Sequence, residues 1–497
     1  MRSRKKINKG PVAEWLGRGL QNLVQRFKSA RDLRNFKFII YDLLFMKIIF
    51  GKSSRLSNKR FFSISIFQFL FSLLFLLFLP AVSFAQSNNS IPSIGPVRVE
   101  FILFGLTLLG VALFHHHTMR VALIGLAVIL LFKFIFDHGF NLREHIFGSQ
   151  SSEGEWRILL NLLGLLFGFA ILAKLFEDSH VPKILPHYLP NDWKGGFVLL
   201  VLICIISSFL DNIAAAMIGG AVAHVVFKGK VHIGYLAAIV AASNAGGAGS
   251  VVGDTTTTMM WIDGVNALDV THAFVASAAA ILIFGIIAAK QQDKYQRITK
   301  DASVRTKILW KNILVVAMIL VGAIITNWTM DFPAAGVWFA ILIGAAFTKT
   351  PWKEIPNAVK GTIFLLSLVM CASLMPVKEL PPASEWTAFT LGFVSAVFDN
   401  IPLTKLCLEQ GGYDWGVLAF TVGFGGSMIW FGSSAGVALS NMYPEAKSTA
   451  AYIKGGWHVT FAYIISFFIM LGIVGWHPHA PHKKHAGEMP AVSAGIK

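Results

Sequence analysis

The chain has 497 residues, 55% of them hydrophobic and only 14% charged, with a mean hydropathy of +0.62. A soluble domain carries about 25% charged residues, so this balance excludes an ordinary soluble protein and indicates a polytopic one embedded in a lipid bilayer. The net charge of +17 does not indicate a nucleic-acid partner, because residues 1–60 alone hold 16 Lys and Arg against three acids and the rest of the chain is only mildly basic. Cys204, Cys371 and Cys407 stand singly in apolar runs, which offers neither a disulfide framework nor a metal-thiolate site.

Residues 1–60 form a basic extension. Trp15, Leu16, Leu20, Leu23 and Phe27 recur there at roughly helical spacing, as in a segment lying on an anionic membrane face. A start at Met46, giving a basic leader ahead of Phe61, fits as well. Residues 61–80 are almost unbroken apolar sequence followed by AVSFAQS. Small residues at Ser83 and Ala85 suit cleavage after Ala85, so 61–85 reads as a signal peptide in preference to a signal anchor, and 86–497 as the membrane domain.

Runs near the roughly 20 apolar residues that a hydrocarbon core demands follow at 99–117, 121–137 and 157–176. The block 196–227 is apolar but interrupted at 210–213. Read as one crossing, it puts the basic loop 290–311, with seven Lys and Arg, outside; read as a re-entrant hairpin, it puts that loop in the cytoplasm, where positive charge belongs. The hairpin is therefore the expectation. Next, 231–262 crosses outward with a break at 244–254, 270–289 returns, 312–328 and 333–348 go out and back, and 362–378 crosses outward. Residues 386–410, interrupted at 399–402, make a second hairpin entering from outside. A second broken span, 414–441, and a final one, 456–476, complete about ten crossings, with Lys349, Lys353, Lys360, Lys447 and Lys454 all inside.

The chemistry lies in two similar stretches. In the first, SSFLDNIAAA precedes SNAGGAGSVVGDTTTT; in the second, SAVFDNIPL precedes GGSMIWFGSSAG. Asp211 and Asp399 are 188 residues apart, and Gly247 and Gly426 are 179 apart. An aspartate at membrane depth is costly unless neutralised, paired or bound to a cation, so it marks function by default. Broken helices in both copies of an internal repeat point to the binding site of a secondary transporter. The two hairpins enter from opposite sides, so the repeats, about 157–289 and 333–476, are expected to be inverted.

Each hairpin tip offers Asp and Asn oxygens, and each break offers carbonyls together with Asn244, Thr255, Thr256 and Thr257 in one half or Ser427, Ser433 and Ser434 in the other. Such oxygen-rich sites suit sodium, lithium or protons. Burial disfavours the charged form of a carboxylate, so one group can hold either a proton or a cation, and that competition is the basis of exchange. The plainer reading is that Asp211, Asp254 and Asp399 each cap the half-helix that follows, with Thr257 or a similar residue as partner, and capping is compatible with ion binding. A carrier of small carboxylates coupled to sodium is the alternative. It lacks cationic contacts: 196–264 holds no arginine, and its basic side chains are Lys228, Lys230, His224 and His232, while 386–441 has only Lys405. His115 to His117 and the tail histidines His477, His479, His482 and His485 can bind divalent metal weakly, although a solvated turn and tail explain them better. No nucleotide, protease or redox motif occurs in a sensible context, so an enzyme is not expected.

At these motifs the sequence resembles the ion transporter superfamily, which includes citrate/dicarboxylate carriers, arsenite permeases and NhaD-type sodium/proton antiporters. It is most similar to the NhaD type, over roughly 157–476. The resemblance implies an all-α polytopic fold of inverted repeats with unwound helices, a homodimer in the inner membrane, no cofactor, and exchange of sodium or lithium for protons. Carried across by motif, it assigns ion binding and proton exchange to Asp211, Asn212, Asn244, Asp254, Thr256, Thr257, Ser395, Asp399, Asn400, Ser433 and Ser434, with sodium held by Asp211, Asn212, Asp254, Asp399 and Asn400. Two departures stand out. Lys405 and Glu409 sit in the second arm of the outer hairpin, where they pair with one another or Lys405 reaches Asp399, and Ser433 stands where the first repeat has Asp254.

Overall fold

The computed structural model describes residues 92–479 apart from 95–96, 115–116, 138, 150–153 and 300–306. The basic extension 1–60, the signal segment 61–85, His115, His116 and the tail beyond His479 lie outside the described residues. A two-residue antiparallel pair, β1 (Ser93–Ile94) and β2 (Val97–Arg98), leads into an otherwise helical chain. The helices are α1 (Val99–Leu113), α2 (Thr118–Phe136), α3 (Leu142–Phe147), α4 (Trp156–Asp178), α5 (Val181–Tyr188), α6 (Trp193–Ser207), α7 (Asn212–Val226), α8 (Ile233–Ala248), α9 (Thr255–Ile262), α10 (Ala267–Thr271) and α11 (Ala273–Tyr295). They continue with α12 (Trp310–Met330), α13 (Pro333–Gly344), α14 (Glu354–Ser373), α15 (Glu385–Ser395), α16 (Asn400–Gln410), α17 (Trp415–Gly425), α18 (Ser434–Met442), α19 (Thr449–Gly455) and α20 (Trp457–Ile473).

Among the described residues, five helices or runs of helices are long and apolar enough to cross a bilayer unaided, and a sixth is obtained if α19 and α20, bent by 57°, count as one. Further apolar helices of 10–17 residues fall short of that length. They are short because their sequences are interrupted where polar residues cap and restart the backbone, as at Asp211, Asp254, Asp399 and Ser433. The chain is thus an all-helical, multi-pass membrane protein. Bilayer lipid imposes this architecture, since helices satisfy their own backbone hydrogen bonds.

Two regions differ in what they show to their surroundings. α12 and α13 form an antiparallel pair drawn close at Gly322, where a side chain would meet the Gly336 carbonyl at 2.7 Å. Its outer surface is apolar, and α12 turns Trp310 and Trp328 outward, 70% and 87% exposed. By contrast, α8 and α17 are buried along their length and pack on one another at the centre. Around that pair, α6 packs on α8 and α15 on α17, while α7 meets α18 and α16 meets α9.

The break in the first repeat is shorter than its sequence indicates. The helix runs on through Asn244, Gly246 and Gly247 to Ala248, and only residues 249–254 are unwound. Asn244 stays helical because its amide is used sideways, and Gly246 is there for close packing: a side chain on it would run into the Cys204 carbonyl. The interruption at 399–402 is likewise displaced. Residues 396–399 are unwound, and Pro402 lies within the first turn of α16, where a missing N–H costs nothing.

Candidate ion-binding site

Four half-helices start in the interior, and each is capped by a polar residue picked out in the sequence. Asp211 accepts the Ile213 N–H at 3.2 Å through Oδ2, Asp254 the Thr256 N–H at 3.2 Å through Oδ1, Asp399 the Ile401 N–H at 3.1 Å through Oδ1, and Ser433 the Gly436 N–H at 3.2 Å. Each cap satisfies one orphan backbone donor, which water supplies at a soluble helix end but lipid does not. Capping occupies one oxygen of each carboxylate and leaves the second to other chemistry.

The two sets of elements share their contacts as well as their caps. Ser207 Oγ donates to the Ser243 carbonyl at 2.6 Å, and Ser395 Oγ to the Val422 carbonyl at 2.7 Å. Side chains at Gly246 and Gly425 would strike the carbonyls of Cys204 and Gly392. At Gly247 and Gly426 they would meet the carbonyls of Gly253 and Gly432, each at 2.7 Å. Ser395 therefore ties a helix pair to a broken helix, and its hydroxyl proton is committed to that bond.

The amides and hydroxyls do not repeat. Asn212 Nδ2 donates to Asn244 Oδ1 at 3.0 Å, and Asn244 Nδ2 to Ser427 Oγ at 2.9 Å, a chain that joins α7, α8 and the turn after α17. Asn400 is equally buried, but its Nδ2 has no hydrogen-bond partner among the described residues. Thr257, expected as a partner for a capping aspartate, instead faces the carbonyls of Ser250 at 2.6 Å and Asp254 at 2.9 Å, closing the unwound loop onto α9; Thr258 does the same for Val251 at 2.8 Å. Asp254 is 1% exposed and Thr256 is fully buried; the Thr256 side chain lies beside the Asp254 carboxylate, and Asp254 Oδ2 and Thr256 Oγ1 have no hydrogen-bond partner beyond one another among the described residues.

A cavity of about 850 Å³ reaches this centre. Ile213, Met217, Ala221, Val225 and Val226 line it, so it follows α7 for about 20 Å at 1.5 Å per residue. Asp211, Asp254, Thr255, Thr258 and Ser434 also line it, with the Thr255 side chain beside the Asp211 carboxylate. Lys174, Glu177, Lys183, His187 and Glu354 contribute charged and titratable groups to the same wall. Asp399 is half-buried and is not part of the lining, although it lies within electrostatic reach of Asp254. The cavity therefore joins Asp211, Asp254 and Ser434, while Asn212, Asn244, Thr256, Thr257, Ser395, Asp399, Asn400 and Ser433 lie outside its wall.

Lys405 does not reach for Asp399. Fully buried, its Nζ lies 2.6 Å from Glu409 Oε1, 3.0 Å from Glu155 Oε2 and 3.9 Å from Asp263 Oδ1. The i, i+4 partner was visible in the sequence, but Glu155 and Asp263 come from distant segments and carry no local signal. His477 and His479 turn to carboxylates: the His477 N–H donates to Asp414 Oδ2 at 2.8 Å, and His479 Nε2 lies 3.8 Å from Asp269 Oδ2.

Helices interrupted around buried acids, with a deep cavity leading to them, are the features from which membrane transporters build their ion sites. The curated relatives it matches are sodium/proton antiporters. It is 27% identical to sodium/proton antiporter 1 of Arabidopsis thaliana over 294 residues, covering 50% of this chain and 50% of that protein. It is 24% identical to sodium/proton antiporter 2 of the same plant over 321 residues, 55% of this chain and 73% of that one. It is 26% identical to the Na(+)/H(+) antiporter NhaD of Vibrio cholerae serotype O1 over 321 residues, 54% of this chain and 67% of that one. The chain thus spans about half the length of the first of these relatives. No family model matches the chain. The resemblance to NhaD-type antiporters, read from the paired motifs, is matched by similarity over about half of this chain, 54% for the antiporter of Vibrio cholerae.

Proposed function

We propose that this chain is a secondary active transporter, not an enzyme, that exchanges sodium or lithium for protons across the inner membrane without a cofactor. The observation that carries the reading is the pairing of Asp211 and Asp254 on one deep cavity, each capping a half-helix through one oxygen, with the second oxygen of Asp254 buried. Hard cations take oxygen ligands, and a buried carboxylate must be neutralised by either a proton or a cation. Entry of one therefore requires departure of the other, and a fall in pH raises the sodium concentration needed for half-maximal exchange.

The short helices complete the crossing pattern: α6 with α7, and α15 with α16, act as re-entrant hairpins from opposite faces, giving about ten crossings in two inverted repeats. Lys228 and Lys230 follow α7 directly, so the cavity along α7 opens toward the positively charged, cytoplasmic side. The repeated contacts at Ser207 and Ser395, and at Gly246 and Gly425, support that scheme. Asn212, Asn244, Thr256, Thr257, Asn400, Ser433 and Ser434 hold the backbone and supply oxygens around the three acids, and a homodimer forms through an apolar outer face such as that of α12 and α13.

The test is sodium- and lithium-dependent proton flux in inverted vesicles, with Asp211→Ala beside the native chain and uptake of labelled succinate as the rival assay. Flux in the native chain that Asp211→Ala abolishes supports exchange. Succinate uptake with no cation-dependent proton flux overturns it.

A further inference from the structure

Gly423 lies on α17 facing Asp254. A Cβ placed on it would sit 3.2 Å from Asp254 Oδ2, 3.9 Å from Thr256 Oγ1 and 3.9 Å from the Ala248 methyl. Two of those three atoms are polar, deeply buried and without a hydrogen-bond partner beyond one another among the described residues. A carboxylate oxygen held in that state needs a cation or a proton, and the hydroxyl beside it offers a second oxygen ligand. Ala248 and Gly423 are the two smallest residue types, so the α17 side presents no bulky side chain to the buried carboxylate oxygen.

The corresponding place in the other half is built differently. The 179-residue offset sets Asn244 against Gly423, Ser427 against Ala248, Ser433 against Asp254 and Ala435 against Thr256. There the amide of Asn244 reaches across to Ser427 Oγ at 2.9 Å and fills the gap with a hydrogen bond, and no carboxylate faces it. One of two equivalent positions is filled by an amide, while the other has no side chain and faces a buried carboxylate oxygen.

We propose that Gly423, by having no side chain, sets the size of the cation accepted in a cradle formed by Asp254 Oδ2 and Thr256 Oγ1. The inference rests on the exchanger reading and adds to it a selectivity residue. A methyl group at 423 takes up room beside the carboxylate oxygen, so it must handicap the larger sodium ion more than the smaller lithium ion and leave proton binding least affected. Discrimination by one methyl group in a tight site is roughly tenfold or more.

The experiment compares half-maximal concentrations of sodium and lithium for proton flux in vesicles bearing the full chain or Gly423→Ala, with direct binding of radioactive sodium to the purified protein. Gly423→Ala should raise the sodium value roughly tenfold while moving the lithium value by less than about threefold. Thr256→Val, which removes the oxygen at constant volume, should weaken both cations about equally, in flux and in binding. Equal shifts for the two cations in Gly423→Ala, or no shift in either variant, overturn the inference. If Gly423→Ala does not reach the membrane, unchanged sodium binding by Thr256→Val overturns it alone, and weakened binding of both cations sustains the cradle. A native chain with neither cation-dependent flux nor sodium binding overturns the exchanger reading itself, which separates the two failures.

Discussion

Asp254 and Ser433 occupy the same place in two copies of one backbone arrangement. Both are extended, with φ −142°, ψ 143° and φ −138°, ψ 153°, both end an unwound loop, and both cap the half-helix that follows. Asp211 and Asp399 match as closely, at φ −50°, ψ 139° and φ −55°, ψ 138°. The copies part where side chains meet in the middle: one half has a carboxylate, a threonine and an open glycine, and the other has a serine, an alanine and an asparagine already bonded to Ser427. The backbone follows the same course at both places, while the buried carboxylate is present at only one of them. A helix needs only an acceptor at its cap, which serine provides as well as aspartate, so the scaffold tolerates the exchange even though the charge is lost.

The largest effect that bears on this comparison is at the caps themselves. Asp254→Asn should reduce sodium-dependent proton flux by about a hundredfold or more while keeping the cap, whereas Ser433→Ala should cost less than about fivefold in flux. Flux assays in inverted vesicles decide it, and equal losses would mean that the halves contribute alike. A stability effect should appear at Lys405. Lys405→Met removes the cation shared by Glu155, Asp263 and Glu409 and should destabilise the protein by about 3–5 kcal/mol, read as a lowered unfolding temperature in detergent. A restored temperature in Lys405→Met combined with Glu409→Gln would show that unpaired charge is the cause.

A finer distinction separates Asp211 from Asp399. Only Asp211 lines the cavity, so Asp211→Asn should cost about tenfold more flux than Asp399→Asn, and the reverse order would shift the centre of exchange to the second half. The smallest effect tests what the halves share. Ser207→Ala and Ser395→Ala each remove one buried hydrogen bond to the partner broken helix and should lower stability by about 1 kcal/mol apiece. Thermal unfolding of the two variants should give indistinguishable shifts, and a large difference would break the correspondence of the scaffolds.

Much of this was legible before any coordinates, because polar residues inside apolar runs are rare and each needs a reason. The aspartates, the paired glycine clusters and the interrupted helices were all visible that way. The sequence places Asn244 in the break, yet it is helical, since a sequence does not say whether a polar side chain serves its own backbone or a neighbour across the interface. Gly423 escaped notice because it contributes by leaving space, and space is defined only by the atoms around it. Glu155 and Asp263 escaped because their partner Lys405 lies far along the chain. Short pieces such as α3 and α13 fall below the length at which apolar periodicity separates a helix from a loop or from a full crossing.

One peripheral feature bears on the membrane as a whole. Trp310 and Trp328 project from the two ends of α12, eighteen residues and therefore about 27 Å apart along its axis. Indole rings settle at the headgroup boundary, so this helix carries a ruler slightly shorter than a typical hydrocarbon core of about 30 Å. Little slack remains for tilting α12 without drawing one ring into the acyl chains. Lipid tail length thus becomes a variable that acts on the protein, and thicker bilayers must thin locally around the α12–α13 pair to keep both rings at their preferred depth.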